Sequence, residues 1–323
     1  MRKTLRAVEE AFPGRKWLEH YRTALPSYRA WFARHGDGPR PALRECVDAL
    51  ERHMPELLPL WKHLVEISGA DDDDARMLTF YCPAPNLAGC SQAVWTRYSP
   101  ILVRNYDYAP QSCEGRIART HWHHQDVIAT TDCLWGVLDG MNEHGLAVSL
   151  AFGGKTAVTE GFGIPLILRY VLEFCTDVDE AVRVLCRVPS HMAYNITLLD
   201  AHGQVRTVEL SPFSPPQVSC RALAVNHQGE FEFSQYAMFS HSFERQQFLI
   251  GRLTDPLVNI GSFVDAFEFR PLFAANYAQG FGTLYTAVYN PQLRAMEYRW
   301  PQRTRMYQSF TAFEECEVVA DLR

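Results

Sequence analysis

Nine cysteines stand at positions 46, 82, 90, 113, 133, 175, 186, 220 and 316, and no two form a Cys-x-x-Cys pair. An odd, scattered set builds neither a disulfide framework nor a zinc site, so each must be read from its own setting. Cys175 and Cys186 fall in helical patterns among Leu and Val, and Cys133 ends a strand-like run, which are the settings of small apolar fillers. Cys90 differs. It closes the proline-broken loop Cys-Pro-Ala-Pro-Asn-Leu-Ala-Gly that begins at Cys82, and it opens a strand. About fifteen residues on, Arg104-Asn105-Tyr106-Asp107 ends the partner strand of a hairpin, whose pairing returns these side chains to Cys90. A guanidinium there lowers a thiol pKa, and a carboxylate holds an ammonium or amine in place. A plainer reading also stands: a packed cysteine at a strand start, and an Arg104–Asp107 ion pair at a strand end.

Four other residues invite a chemical reading. Period-two spacing puts His121 and His123 on one strand face, as zinc could use, but the following His124-Gln125-Asp126 reads as a hairpin tip and no third ligand is evident. No metal or cofactor is therefore expected. His227, beside Asn226, could serve Cys90 as an ordinary thiol–imidazole partner. Asn142 reads as a turn residue tolerating a left-handed backbone.

The elements that must position these groups change character near Tyr81. Before it, apolar spacing of three and four marks helices: Trp17, Leu18, Tyr21, Tyr28, Trp31 and Phe32 form one stripe, interrupted at Pro26, and Val47, Leu50, Met54, Leu57, Leu58, Trp61 and Leu64 form another. Gly36 to Pro41 is the turn between them. The run Asp71 to Asp74 suits a helix start, where carboxylates meet the positive end of the dipole, and lacks the spacing of a calcium loop. Beyond Tyr81 come hairpins: Ser91–Tyr98 with Ile101–Tyr108, Arg116–His123 with Val127–Cys133, Trp135–Leu138 with Leu146–Phe152, and Met192–Leu199 with Val205–Leu210. Helices interrupt them at Ile164–Phe174, from Asp177 with a capping-box Glu180, and between Ser242 and Phe269, before a last hairpin around Asn290-Pro291. The aromatic segment Phe263–Tyr277 reads as helical core or as the lining of an acyl pocket. The pattern predicts an α+β fold, a four-layer α/β/β/α sandwich of antiparallel sheets preceded by a helical N-terminal segment, rather than a parallel doubly wound sheet.

Composition bounds the function. The chain has 323 residues, 47% of them hydrophobic and 21% charged, enough for a large core. Its 31 basic and 37 acidic residues are spread without a basic stripe, which argues against a nucleic-acid partner. No apolar run is long enough to span a bilayer and the first residues lack a signal-peptide core, so the expectation is a cytoplasmic protein without a membrane partner.

Gly-Cys-Ser-Gln at 89–92, Val-Arg-Asn-Tyr-Asp-Tyr at 103–108, Asp-Gly-Met-Asn-Glu-His-Gly-Leu-Ala-Val at 139–148, Tyr-Asn-Ile-Thr-Leu-Leu-Asp at 194–200 and Asn-His-Gln at 226–228 resemble, in order and spacing, the N-terminal nucleophile hydrolases related to the penicillin acyltransferases and, more distantly, the choloylglycine hydrolases. The resemblance implies a self-cleaved enzyme, in which the Cys90 thiol and its freed α-amine act together after scission of Gly89–Cys90. It implies that Asp107 orients that amine, Arg104 tunes the thiol and contacts substrate, Asn195 donates to a developing oxyanion, and Arg245 braces the site. Residues 1–89 would then be a pro-segment or α chain and residues 90–323 a catalytic β chain, a self-processed heterodimer. An α-amine titrates near 8, so it can act as base to its own thiol. The chain departs from the choloylglycine branch at Leu150-Ala151-Phe152, where that branch has Leu-Asn-Phe, which argues against bile-salt hydrolysis. The expected activity is that of a cysteine amidohydrolase or acyltransferase acting on a small amide or acyl thioester. The alternatives are an intact-chain thiol hydrolase using Cys90 and His227, and a non-catalytic binding protein retaining the fold.

Overall fold

The computed structural model describes residues 2–34, 40–85, 88–229, 234–301 and 303–322. Of the Gly36–Pro41 turn, residues 36–39 lie outside these residues.

The N-terminal part is not purely helical. It opens on β1 (Arg2–Glu9), and then α1 (Arg15–Arg34), α2 (Leu43–His53), α3 (Leu58–Ser68) and α4 (Asp72–Leu78) follow. Only Leu5 and Ala7 of β1 are buried, among charged neighbours, so the strand has no apolar run to announce it. Its place comes from tertiary pairing, antiparallel to a C-terminal strand and parallel to a strand of the main body. Helix α1 runs through Pro26 unbroken: the missing N–H forfeits one bond, and the buried Trp17 and Tyr21 on either side of a turn keep the helix docked. The acidic run starts α4 as expected, with the Asp71 side chain accepting the Asp74 N–H at 2.9 Å.

After this region the hairpins form in the anticipated order: β2 (Gly89–Trp95) with β3 (Ile101–Tyr108), β4 (Arg116–Thr120) with β5 (Val127–Asp132), β6 (Gly136–Asn142) with β7 (Ala147–Phe152), then α5 (Ile164–Phe174), α6 (Val178–Arg187), and β8 (Tyr194–Leu199) with β9 (Val205–Ser211). Asp177 caps α6 through the Glu180 N–H, while the Glu180 carboxylate reaches back to Thr176. Asn142 ends β6 and opens the turn as expected, its Oδ1 accepting the N–H groups of His144 and Leu146, but its own backbone is not left-handed. The left-handed position of that turn is Gly145, φ 84°, and the Asn142 amide is spent on the carbonyls of Leu172 and Cys175.

The chain ends with β10 (Ser214–Ser219), β11 (Leu223–Ala224), α7 (Ser234–Phe239), α8 (Ser242–Thr254), α9 (Ile260–Asp265), β12 (Gly282–Asn290), β13 (Ala295–Trp300), β14 (Thr304–Ser309) and β15 (Cys316–Asp321). Strands β10, β14 and β15 were not anticipated. Each is a sheet edge with few buried residues, and the prolines of β10 suit an edge.

Two sheets result, with strand orders β10-β9-β8-β7-β6-β5-β4-β1-β15 and β11-β2-β3-β12-β13-β14. All neighbours are antiparallel except β1 and β4. The larger core lies between the sheets and continues under the N-terminal helices and α5 and α6; the smaller, with Trp95, Val103, Leu249, Phe263 and Phe267, lies between the outer face of the second sheet and α8 and α9. This is an α/β/β/α arrangement, and the aromatics Phe263 and Phe267 belong to its outer core.

Candidate active site

The β2–β3 hairpin sets the geometry by register. Gly89 pairs with Asp107, Cys90 with Tyr106 and Gln92 with Arg104. Because strand side chains alternate, Cys90, Gln92, Arg104 and Tyr106 face the space between the sheets, whereas Ser91, Asn105 and Asp107 face the outer helices. Gly89 is fitted to its place: a Cβ there would lie 2.6 Å from Phe281 Cζ and 3.1 Å from Asp107 Cβ.

On the inner face Arg104 Nη2 stands 3.2 Å from Cys90 Sγ, with both residues fully buried. Arg104 Nη1 donates to the Asp139 carboxylate of β6 and lies 3.2 Å from the Tyr285 hydroxyl. Asp139 also accepts hydroxyl hydrogen bonds from Tyr285 at 2.6 Å, from Thr130 at 3.1 Å and from Tyr289. Gln92 ties the sheets together, donating to the Asn195 carbonyl at 2.9 Å and accepting from Ser149. Burial pushes the Cys90 thiol up; Arg104 pulls it down without overcoming that, and Asp107 adds to the rise. With the chain continuous across Gly89–Cys90, the thiol is thus closed off and protonated.

On the outer face Arg245 of α8 donates to Asp107 Oδ2 at 2.6 Å and approaches Ser91 Oγ at 3.4 Å, while Thr283 donates to Asp107 Oδ1 at 2.6 Å. The structure thereby gathers Arg104, Asp107 and Arg245 around Cys90. Asn195 is placed differently from the expectation. Its side-chain N–H groups are committed to the carbonyls of Val225, at 2.7 Å, and His227, at 3.0 Å. Those two carbonyls flank Asn226, which sequence reasoning had noted only as part of a motif. Asn226 Oδ1 accepts the Cys90 N–H at 2.9 Å, and its Nδ2 reaches the carbonyls of Ala88, at 3.3 Å, and Phe152, at 3.1 Å. Asp139 and Tyr285 are likewise additions: Asp139 stood inside a motif, and nothing in the local pattern of β12 singles out Tyr285.

His227 points elsewhere. Its Nδ1 lies 2.8 Å from Ser242 Oγ and its Nε2 3.1 Å from Gln246 Oε1, both on α8, and its ring stacks on Phe243. The rival pairing of Cys90 with His227 is therefore not formed; because Asn226 turns toward Cys90, its neighbour turns toward α8. His121 meets Asp126 at 2.8 Å while His123 stands near Glu173 at 3.5 Å, and among the described residues no three ligating groups converge as a metal would need. All nine cysteines are unpaired; Cys175 is buried as a filler should be, but Cys186 is exposed. Among the described residues no helix is long and apolar enough to cross a membrane.

Residues 95–305 match the family model of acyl-coenzyme A:6-aminopenicillanic acid acyl-transferase. The chain belongs to this family. The matched span begins just after Cys90 and takes in Arg104, Asp107, Asp139, Asn195, Asn226 and Arg245. The sandwich is similar to that of the conjugated bile acid hydrolase from Clostridium perfringens, at 11% identity over 71% of this chain and 96% of that one, with a TM-score of 0.50. Two further solved structures match: penicillin V acylase from Agrobacterium tumefaciens, at 15% identity over 69% of this chain and 86% of that one, TM-score 0.45, and the Caenorhabditis elegans ortholog of N-acylethanolamine-hydrolyzing acid amidase, at 17% identity over 64% of this chain and 93% of that one, TM-score 0.45. No curated protein matches the sequence. Membership sets the chain among the N-terminal nucleophile hydrolases, a superfamily of amide hydrolases and acyltransferases.

Proposed function

We propose that the chain is a self-cleaving cysteine amidohydrolase or acyltransferase, acting on a small amide or acyl thioester through an acyl-enzyme on Cys90. The observation that carries the reading is the bracketing of Cys90, with a guanidinium on its sulfur and Asn226 on its nitrogen. In cleavage the Cys90 sulfur attacks the Gly89 carbonyl, the C–N bond breaks toward the Cys90 nitrogen, and water hydrolyses the resulting thioester to leave a Gly89 carboxylate and a free α-amine. Asn226 Oδ1 already receives that nitrogen's hydrogen, and Asp107, paired with Gly89 across the hairpin, is the carboxylate that would meet the new positive charge. The amine then takes the thiol proton for each turnover and returns it to the leaving group.

Asn226 rather than Asn195 suits the oxyanion role. Once the Ala88 carbonyl withdraws with the cleaved segment, one Asn226 N–H is left for a substrate oxygen. Asn195 is then a positioning residue, clamping the carbonyls on both sides of Asn226. Residues 1–89 stay attached after cleavage in this reading, because β1 lies inside the larger sheet, between β4 and β15, and the N-terminal helices share its core. The family name points to an acyl thioester donor with an amine acceptor, and the amide hydrolases of like fold to water as the alternative acceptor.

Intact-mass measurement tests the reading. The wild type should give two polypeptides, residues 1–89 and 90–323, that co-elute without denaturant, and Cys90→Ala should stay whole and inactive. An uncut wild type, or a Cys90→Ala chain that still cleaves, defeats it.

A further inference from the structure

Helix α7 packs, through two aromatic contacts, on residues that border the Gly89–Cys90 bond. Its Tyr236 ring meets Phe152 edge-on, with centroids 5.0 Å apart and planes at 88°. Phe152 is the residue whose carbonyl receives Asn226, the same side chain that holds the Cys90 nitrogen. One turn further along α7, Phe239 packs on Phe281 at 5.3 Å, and Phe281 is the ring that excludes a side chain from Gly89. Between these contacts the Tyr236 hydroxyl is buried and has no hydrogen-bond partner among the described residues. Buried hydroxyls are seldom left so, and one near enough to feel the charges of Cys90 and Asp107 calls for a ligand atom.

From this geometry we infer that Tyr236 is a further catalytic residue, whose hydroxyl donates a hydrogen bond to the oxygen of the substrate carbonyl as Cys90 attacks it. Burial, and then the neighbouring Cys90 and Asp107, keep the phenol protonated, so it donates and does not act as a base. In the step itself the sulfur forms a bond to the acyl carbon, the carbonyl π pair moves onto oxygen, and the Tyr236 O–H stabilises that charge without giving up its proton. Collapse then expels the amine or thiol, which takes the proton held by the α-amine. The assignment rests on Cys90 being the nucleophile.

Two reagents separate the two claims. Acylation of Cys90 by 4-nitrophenyl acetate passes through an oxyanion, and alkylation by iodoacetamide does not. Tyr236→Phe, followed by intact mass, should slow acylation by about 10²-fold to 10³-fold while the alkylation rate stays within about twofold of wild type. Because the hydroxyl has no partner to lose, the variant should melt no lower than the wild type. An unchanged acylation rate, an equal fall in both rates, or a clear loss of thermal stability overturns the role of Tyr236 and leaves Cys90 as nucleophile. A wild type that takes neither reagent at Cys90 overturns the nucleophile and this assignment with it.

Discussion

Two buried Arg–Asp pairs flank Cys90 from opposite faces of one sheet, and they are built in opposite senses. On the inner face the arginine is the shared member: Arg104 divides its fork between Asp139, Tyr285 and the thiol. On the outer face the aspartate is shared: Asp107 accepts from both Arg245 and Thr283. The sulfur thus faces a cation, and the carboxylate on the outer face belongs to the residue that pairs with Gly89; in the proposed cleavage these would meet the thiolate and the new α-ammonium. One hairpin presents both because its residues alternate between faces.

Breaking one pair and then the other tests this division. Removing either arginine leaves an uncompensated carboxylate in the interior, so Arg104→Met and Arg245→Met should each lose about 3–5 kcal/mol in urea unfolding. Their chemistry should diverge. At neutral pH, Arg104→Met should alkylate at Cys90 more slowly, since the guanidinium that lowers the thiol pKa is gone, whereas Arg245→Met should keep its alkylation rate and lose amide turnover. Equal alkylation rates in the two variants would erase the distinction.

A smaller effect separates the two asparagines. Asn226→Leu should lower kcat about a hundredfold, the loss of an oxyanion donor. Asn195→Ala, acting only through the position of Asn226, should lower it roughly tenfold. A larger loss at Asn195 would reverse their roles.

The smallest effect lies where the inner face meets the N-terminal helices. Asp132 accepts from Tyr28 at 2.8 Å and lies 3.4 Å from Tyr106 OH, and burial and then Glu114 push its carboxyl well above the ordinary range. Folding therefore favours its protonated form. The stability this lends is complete at pH values below the ordinary carboxylate pKa of about 4 and fades as the pH rises toward neutrality. Asp132→Asn should match the wild type near pH 4 and melt roughly 2 °C higher at pH 8. A gain at low pH instead would contradict the sign.

Much of this was legible in the chain because it depends on neighbours in sequence. The hairpin β2–β3 and its register follow from alternation and a short turn, and they suffice to bring Arg104 and Asp107 to Cys90. Helices α4, α5 and α6 announced themselves through caps and apolar spacing. Strand β1 did not, since two buried residues among charges carry no periodic signal. Nor did the edge strands β10, β14 and β15, whose outward faces are polar.

What the sequence by itself determined was the α+β order of elements, the one cysteine at the junction of the N-terminal helices and the hairpins, and the partners that one hairpin can return to it. What only the tertiary structure decided was which distant groups stand against that cysteine: Asp139 from the facing sheet by way of Arg104, and Asn226 rather than Asn195 at the Cys90 nitrogen. The physical reason is that alternation fixes the face a side chain occupies, but not what stands across from it. Two buried asparagines have the same donors and acceptors, and only the packing of β8 against the segment 225–228 commits one to backbone carbonyls and the other to Cys90.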